Sequence, residues 1–225
     1  MAAELVVIGA GGFGRETLDV IEAVNAAGER LFEVVGVVDD NPSGMNIERL
    51  HARGYEHLGG VEEVLRSRAP GAYVLGVGSP NAKQTLAGVF DSTGWEPTTV
   101  VHPTATIGTQ TVLDAGTVVC AGVQLSTNVR LGKHVHLNPG VIIGHDAILD
   151  DFVSVNPGAI VSGEVKVGSG VLVGAGAVVL QRLTIGTGTV IGAAACVTRT
   201  PVPGHTIVGV PAQPLVKPAA ESERA

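Results

Sequence analysis

The chain has 225 residues, 32 of them glycine, with 45% hydrophobic residues but only 3% aromatic ones. The formal net charge is −7 and Lys and Arg are scattered, which argues against a nucleic-acid partner. The apolar mass is Val, Ile, Leu and Ala, which favours a repeat or α/β plan over an aromatic-centred sandwich or bundle and excludes bulk disorder.

The opening MAAELVVIGAGG lacks a basic n-region and carries Glu4, so it reads as a strand rather than a signal peptide. No apolar stretch of about 18 residues runs without a Gly or polar break, which argues against a membrane span. Leu5–Gly9 is an apolar run ending in GAGGFG. Gly14–Ala27 has helical spacing at Leu18, Ile21 and Val24 and closes near Gly28. Glu33–Asp40 is β-branched and ends in two carboxylates. Val61–Arg68 fits a short helix and Tyr73–Gly78 a third strand. Ser79 or Asn81 then caps a helix to about Phe90. This alternation predicts a small parallel sheet with covering helices over residues 1–98, a Rossmann-like half-fold.

From Val101 the pattern changes. Every sixth residue from Val101 through Ile107, Leu113 and onward to Val197 is Val, Ile or Leu, at 17 positions without an insertion. Four residues after nearly every one comes a small or β-branched residue, such as Ala105, Val123, Ala159 or Ala177, with Leu183 an exception. This is a hexapeptide repeat, the signature of a parallel β-helix. Three hexads make one triangular coil, and stacking at strand spacing gives just over five coils in a prism on the order of 25 Å tall. Small corner residues are expected to carry the turns. The pattern is expected to fade at Pro201, the domain to span 99–215, and 216–225 to form a polar tail.

Three motifs carry chemistry. Gly9-Ala10-Gly11-Gly12-Phe13-Gly14 follows a strand and opens a helix, where backbone amides can meet a phosphate. Asp39 ends the next strand, where a ribose or base contact would sit. Too little chain remains for a second nucleotide half, so NAD is disfavoured against a smaller phosphate-bearing ligand. A turn needed only for packing is the plainer reading. His145 occupies a corner, with Asp146 beside it and Asn138 and Asn156 on nearby coils. A carboxylate fixes an imidazole's tautomer, which suits a general base; a solvated corner histidine is the plainer reading. No second histidine lies 18 residues away, so no zinc ladder and no metal site are expected. Gly163, Gly174-Ala175-Gly176 and Gly192-Ala193 are expected at matched corners, forming a groove for a pantetheine arm or serving simply as turns. Cys120 and Cys196 make neither a disulfide framework nor a metal set, and free thiols fit a cytoplasmic location.

Taken together, VVIGAGGFGRE, VVDD, GVGS, VHPTA, NPGVIIGHD, NPGAIVSG, VGAGAVV and GVPA resemble the bacterial sugar O/N-acyltransferases, the group of sialic-acid O-acetyltransferases and nucleotide-aminosugar N-acetyltransferases. The resemblance implies a left-handed β-helix, a homotrimer with sites between subunits, and acetyl-CoA as cosubstrate with no permanently bound cofactor. It implies His145 as general base beside Asp146. Gly11, Gly12, Asp39, Asp40, Gly78 and Asn138 would meet the acceptor, a nucleotide-linked sugar. Gly163, Gly174, Ala175, Gly192 and Ala193 would lie along acetyl-CoA, with the Gly163 amide polarising the thioester carbonyl. Two positions depart from the family: Phe13 and Ser154 stand where many members have histidine. The reading is N-acetylation of an amino sugar; O-acetylation, or a non-catalytic nucleotide-sugar scaffold, are the alternatives.

Overall fold

The computed structural model describes residues 2–215. The expected polar tail lies outside the described residues. β1 (Ala3–Ile8), β2 (Phe32–Val38), β3 (Ala72–Leu75) and β4 (Glu96–Pro97) form one parallel sheet in the order β2-β1-β3-β4. α1 (Gly12–Ala26), α2 (Gly44–His51), α3 (Val61–Ser67) and α4 (Pro80–Ser92) connect it. Ser79 caps α4 by accepting from the Ala82 amide. The sequence reading missed α2, which buries only Leu50 fully and starts from Ser43, whose hydroxyl accepts from the Asn46 amide.

The rest of the chain is a β-helix of the left-handed type with three faces. Face one stacks Val100–Val101, Val118–Val119, His136–Leu137, Ser154–Val155, Leu172–Val173, Val190–Ile191 and Thr206–Val208. Face two runs from Thr106–Ile107 through Ile142–Ile143 and Ile160–Val161 to Cys196–Val197, and face three from Val112–Leu113 to Thr184–Ile185. Successive strands pair in register 18 residues apart, as in Leu137↔Val155 and Ile143↔Val161. Each six-residue aliphatic therefore lies on its counterpart one coil away, and Val119 through Val197 form one continuous buried cluster. No earlier coil pairs with the first among the described residues, and Ile107 is 40% exposed.

Two expectations need correction. The helix continues past Pro201: Ile207 pairs with Ile191 at a spacing of 16 instead of 18, giving about six turns. The corners are also not reserved for small residues. Every sixth residue from Gln110 to Ala194 has positive φ, and eight of these carry side chains, Phe152, Glu164 and Arg182 among them. The stacked coil holds the left-handed backbone whatever residue occupies it.

Face one is covered by the N-terminal layer. Val100, Val118 and Cys120 share a buried cluster with Leu18 and Ile21 of α1, and Phe152 packs with Tyr73, Phe90 and Trp95. This seam is polar as well as apolar. Lys83, His134, His136 and Ser154 are all at most 2% exposed within it.

Candidate functional site

The corner between faces two and three carries His145. Asp146 is one of the left-handed corner residues (φ 58), and that backbone turn brings its carboxylate to the imidazole, Oδ2 to Nδ1 at 2.7 Å. The Asn128 side-chain amide, one coil earlier at the same corner, donates to Asp146 Oδ1 at 3.0 Å. The hydrogen bond from His145, then that from Asn128, holds the Asp146 carboxyl below its usual range. A carboxylate kept ionised beside Nδ1 favours the tautomer with the proton on Nδ1. Nε2 is then the basic nitrogen that can meet a substrate. The His145 side chain is 56% exposed. Gly163 lies against the ring one coil on, where a Cβ would stand 2.6 Å from Nε2.

Gly174, Ala175, Gly192 and Ala193 lie at a different corner, between faces one and two, together with Asn138 and Asn156. The expectation that Gly163 shares the corner of the other glycines is therefore wrong: it sits with His145. Nor does one chain bring Asn138 to His145, because one whole strand, Ile142–Ile143, separates their corners. Gly174 has a packing reason of its own, since a Cβ there would stand 2.5 Å from the Ala193 amide of the next coil. Asn138 is 9% exposed and, among the described residues, its Oδ1 has no hydrogen-bond partner.

The third assembly is a cleft of about 250 Å³ in the N-terminal layer, lined by residues that include Gly9, Asp39, Asp40, Val61, Val77 and Leu86. It lies at the carboxyl ends of β1 and β2, where ligands bind in open parallel sheets. Asp39 spans the turn, accepting from the Ala10 amide at 2.8 Å and the Asn41 amide at 3.0 Å, and Asp40 accepts from the Val61 amide at the start of α3 at 2.7 Å. Both carboxylates thus shape the cleft through the backbone and keep lone pairs for a ligand. Gly11, Gly12 and Gly78 do not line it; they stand on open surface, with nothing within 4 Å of a Cβ. Gly14 is tighter, because a Cβ there would collide with the Gly9 carbonyl, and this contact lets α1 start directly against β1.

Sequence reasoning missed Arg15, whose guanidinium donates to the Ala10 carbonyl at 3.1 Å and to Asn46 Oδ1 at 2.7 Å, bracing the glycine turn against α2. A cation just after a glycine turn was the available signal. The two family departures both fall in the seam. Phe13 packs on the His136 ring with centroids 4.2 Å apart, and Ser154 Oγ donates to the Gly78 carbonyl at 2.9 Å.

A half-Rossmann layer seated on a hexapeptide prism is what the resemblance to the bacterial sugar acyltransferases implies, and the comparisons bear that resemblance out. Residues 4–90 match the family described as the PglD N-terminal domain. The acetyltransferase domain of PglB from Neisseria gonorrhoeae superimposes with a TM-score of 0.86 at 27% identity, over 95% of this chain and 100% of that one. Its complex with acetyl coenzyme A gives 0.85 at 28%, over 96% and 100%. A mutant of perosamine N-acetyltransferase from Caulobacter crescentus, bound to CoA and GDP-perosamine, shares the fold, with a TM-score of 0.84 at 24% identity over 96% and 99%. Among curated proteins none matches this chain. Among the described residues, no helix is long and apolar enough to cross a membrane.

Proposed function

We propose that this protein is an acetyl-CoA-dependent acetyltransferase acting on the amine of a nucleotide-linked amino sugar, with His145 as general base. The observation that carries the reading is the His145–Asp146 pair at 2.7 Å on an exposed corner, in a chain similar along its length to an acetyltransferase domain solved with acetyl coenzyme A. The cleft beside the glycine turn supports a nucleotide as the acceptor's handle.

In this mechanism the sugar amine attacks the thioester carbonyl carbon while Nε2 of His145 takes the amine's proton. The C–N bond forms and the negative charge rests on the carbonyl oxygen, where the Gly163 amide is the proposed donor. The C–S bond then breaks, the amide product remains, and the proton leaves with the CoA thiol. Asp146 stays ionised and stabilises the imidazolium between the two steps.

The site is shared between copies. His145 stands at the corner of faces two and three, whereas the chain's own N-terminal layer packs on face one, so a chain does not present its own base to its own cleft. A homotrimer brings one copy's corner to another's groove, with acetyl-CoA along Ala175 and Ala193 and the sugar near Asn138. Face two supplies the contact, since the outward side chains Ile142, Ile160 and Val178 stack into an apolar stripe. Free thiols at Cys120 and Cys196 fit a cytoplasmic enzyme.

The test is release of free CoA across a panel of nucleotide sugars. His145→Ala is expected to cut kcat about 10²–10⁴-fold with CoA binding intact. Near-normal turnover in that variant overturns the base assignment, and an alkali-labile product places the acetyl group on oxygen instead of nitrogen.

A further inference from the structure

The seam between the sheet layer and the prism holds a group that the proposed mechanism does not use. Lys83, on α4, is 1% exposed, and burial drives its ammonium well below the usual lysine range. Among the described residues no carboxylate forms an ion pair with it. Instead Nζ donates to the His134 carbonyl at 2.8 Å and to the Val153 carbonyl at 3.0 Å. These carbonyls belong to consecutive coils, so one side chain straddles both. An apolar residue would satisfy this buried position without the cost of desolvating an amine. A lysine with these two bonds is an attachment.

What it attaches is specific. Three residues along the helix from Lys83, Leu86 lines the nucleotide cleft, and Val77, on the loop just before α4, lines it too. A second bond holds that loop: Ser154 Oγ, one residue from Val153, donates to the Gly78 carbonyl. The loop and the first turn of α4 are therefore gripped at both ends by the coils whose strands begin at His136 and Ser154. The first of these strands runs directly into the corner bearing Asn138, where the sugar is proposed to lie.

We infer that Lys83 and Ser154 are positioning residues that fix the Val77–Leu86 wall of the cleft relative to the catalytic prism, and so set where the acceptor's sugar lies when its nucleotide is bound. This inference rests on the proposed acetyl transfer for its kinetic reading but not for its structural one. The acceptor spans from cleft to corner, so a shift of the wall displaces the reacting amine. Acetyl-CoA, held by the prism alone, does not feel the shift.

The experiment compares full-length wild type with Lys83→Met, Lys83→Arg and Ser154→Ala. Amide hydrogen exchange over residues 76–83 is measured with no substrate present. In Lys83→Met these amides are expected to exchange at least about tenfold faster, while amides of the coil cores, such as Ile143 and Val161, keep their protection. The acceptor kcat/KM is expected to fall about 10- to 100-fold, the size that misplacement on the ångström scale produces, with the acetyl-CoA KM unchanged. Lys83→Arg keeps the donors and is expected to recover most of the loss. Ser154→Ala is expected to loosen the loop in the same direction by less. Unchanged exchange at 76–83 in Lys83→Met overturns the inference, as does an acetyl-CoA KM that rises by a comparable factor. Should the wild type transfer no acetyl group, the proposed function fails, and the exchange measurement still decides the attachment.

Discussion

Acidification should weaken the seam through His134. Its ring is stacked between Phe152, at 5.5 Å and an interplanar angle of 4°, and Tyr73, at 5.9 Å, and among the described residues neither ring nitrogen has a hydrogen-bond partner. Burial first, with the nearby Lys83 and Lys133 adding to it against Asp91 and Asp151, pushes its pKa down from 6.5 to about 4. The unfolded chain therefore binds the proton at a higher pH than the folded one. The contribution to stability is intact above pH 6.5, falls with pH between 6.5 and about 4, and levels off where both states are protonated. Over the whole window it amounts to about 3 kcal/mol. By pH 5 about 2 kcal/mol of it is lost, or a Tm lower by about 4–8 °C for a chain of this size. His134→Phe isolates the effect. Phe152, one coil on at the same corner, has φ 63 and shows that a phenyl ring is accepted on this left-handed backbone. Thermal unfolding at pH 8 and pH 5 is the assay, and the variant should lose several degrees less than the wild type between the two. His136, also lowered by burial, contributes equally in both proteins and cancels from the comparison. Equal acid losses in the two proteins refute the reasoning.

The prism was legible because its physics is periodic. An inward side chain recurs every six residues and meets its counterpart every 18, so Leu125, Ile143, Val161 and Val179 announce their own register. The last coil broke that rule at Ile207, where a 16-residue turn brings the strand under Ile191 and no hexad marks it. The seam was hidden for a different reason. His136 and Ser154 occupy outward positions, where polar residues are ordinary, and only tertiary packing of the N-terminal layer turns them inward. His145 and Asp146 could be read as a pair because adjacent residues need no fold to be near each other. Which corner each glycine joins could not be read so directly. Gly163 and Gly174 are 11 residues apart, not a multiple of 18, and the fold sends them to different edges of the triangle. Asp39 has a second role that a strand-end carboxylate does not announce: it accepts from the Ala10 amide 29 residues away.

Two further perturbations address the proposed assembly and the proposed base. Ile142→Glu places a charge in the middle of the outward stripe on face two, at a position now 38% exposed. It is expected to change the sedimenting species from three chains to a single chain of 22.8 kDa and to abolish acetyl transfer; a wild type that itself sediments as one chain removes the trimer. Gly163→Ala tests the seat of the imidazole. The three nearest heavy atoms to the added methyl all belong to the His145 ring, at 2.6, 2.8 and 3.0 Å, so the ring must yield. The Gly163 backbone is not left-handed, so alanine is tolerated there and Tm should hold. The amide also remains, so a role in polarising the thioester is preserved, and a change in rate reports on the imidazole alone. Turning the ring away from Gly163 strains or breaks its 2.7 Å bond to Asp146 and re-aims Nε2. The expected result is a kcat about 10- to 100-fold lower, with acetyl-CoA affinity unchanged and the His145 ring proton signals shifted in the NMR spectrum. Full kcat in this variant would mean that the ring has another orientation available from which it works equally well, and the argument that Gly163 fixes its aim would fail.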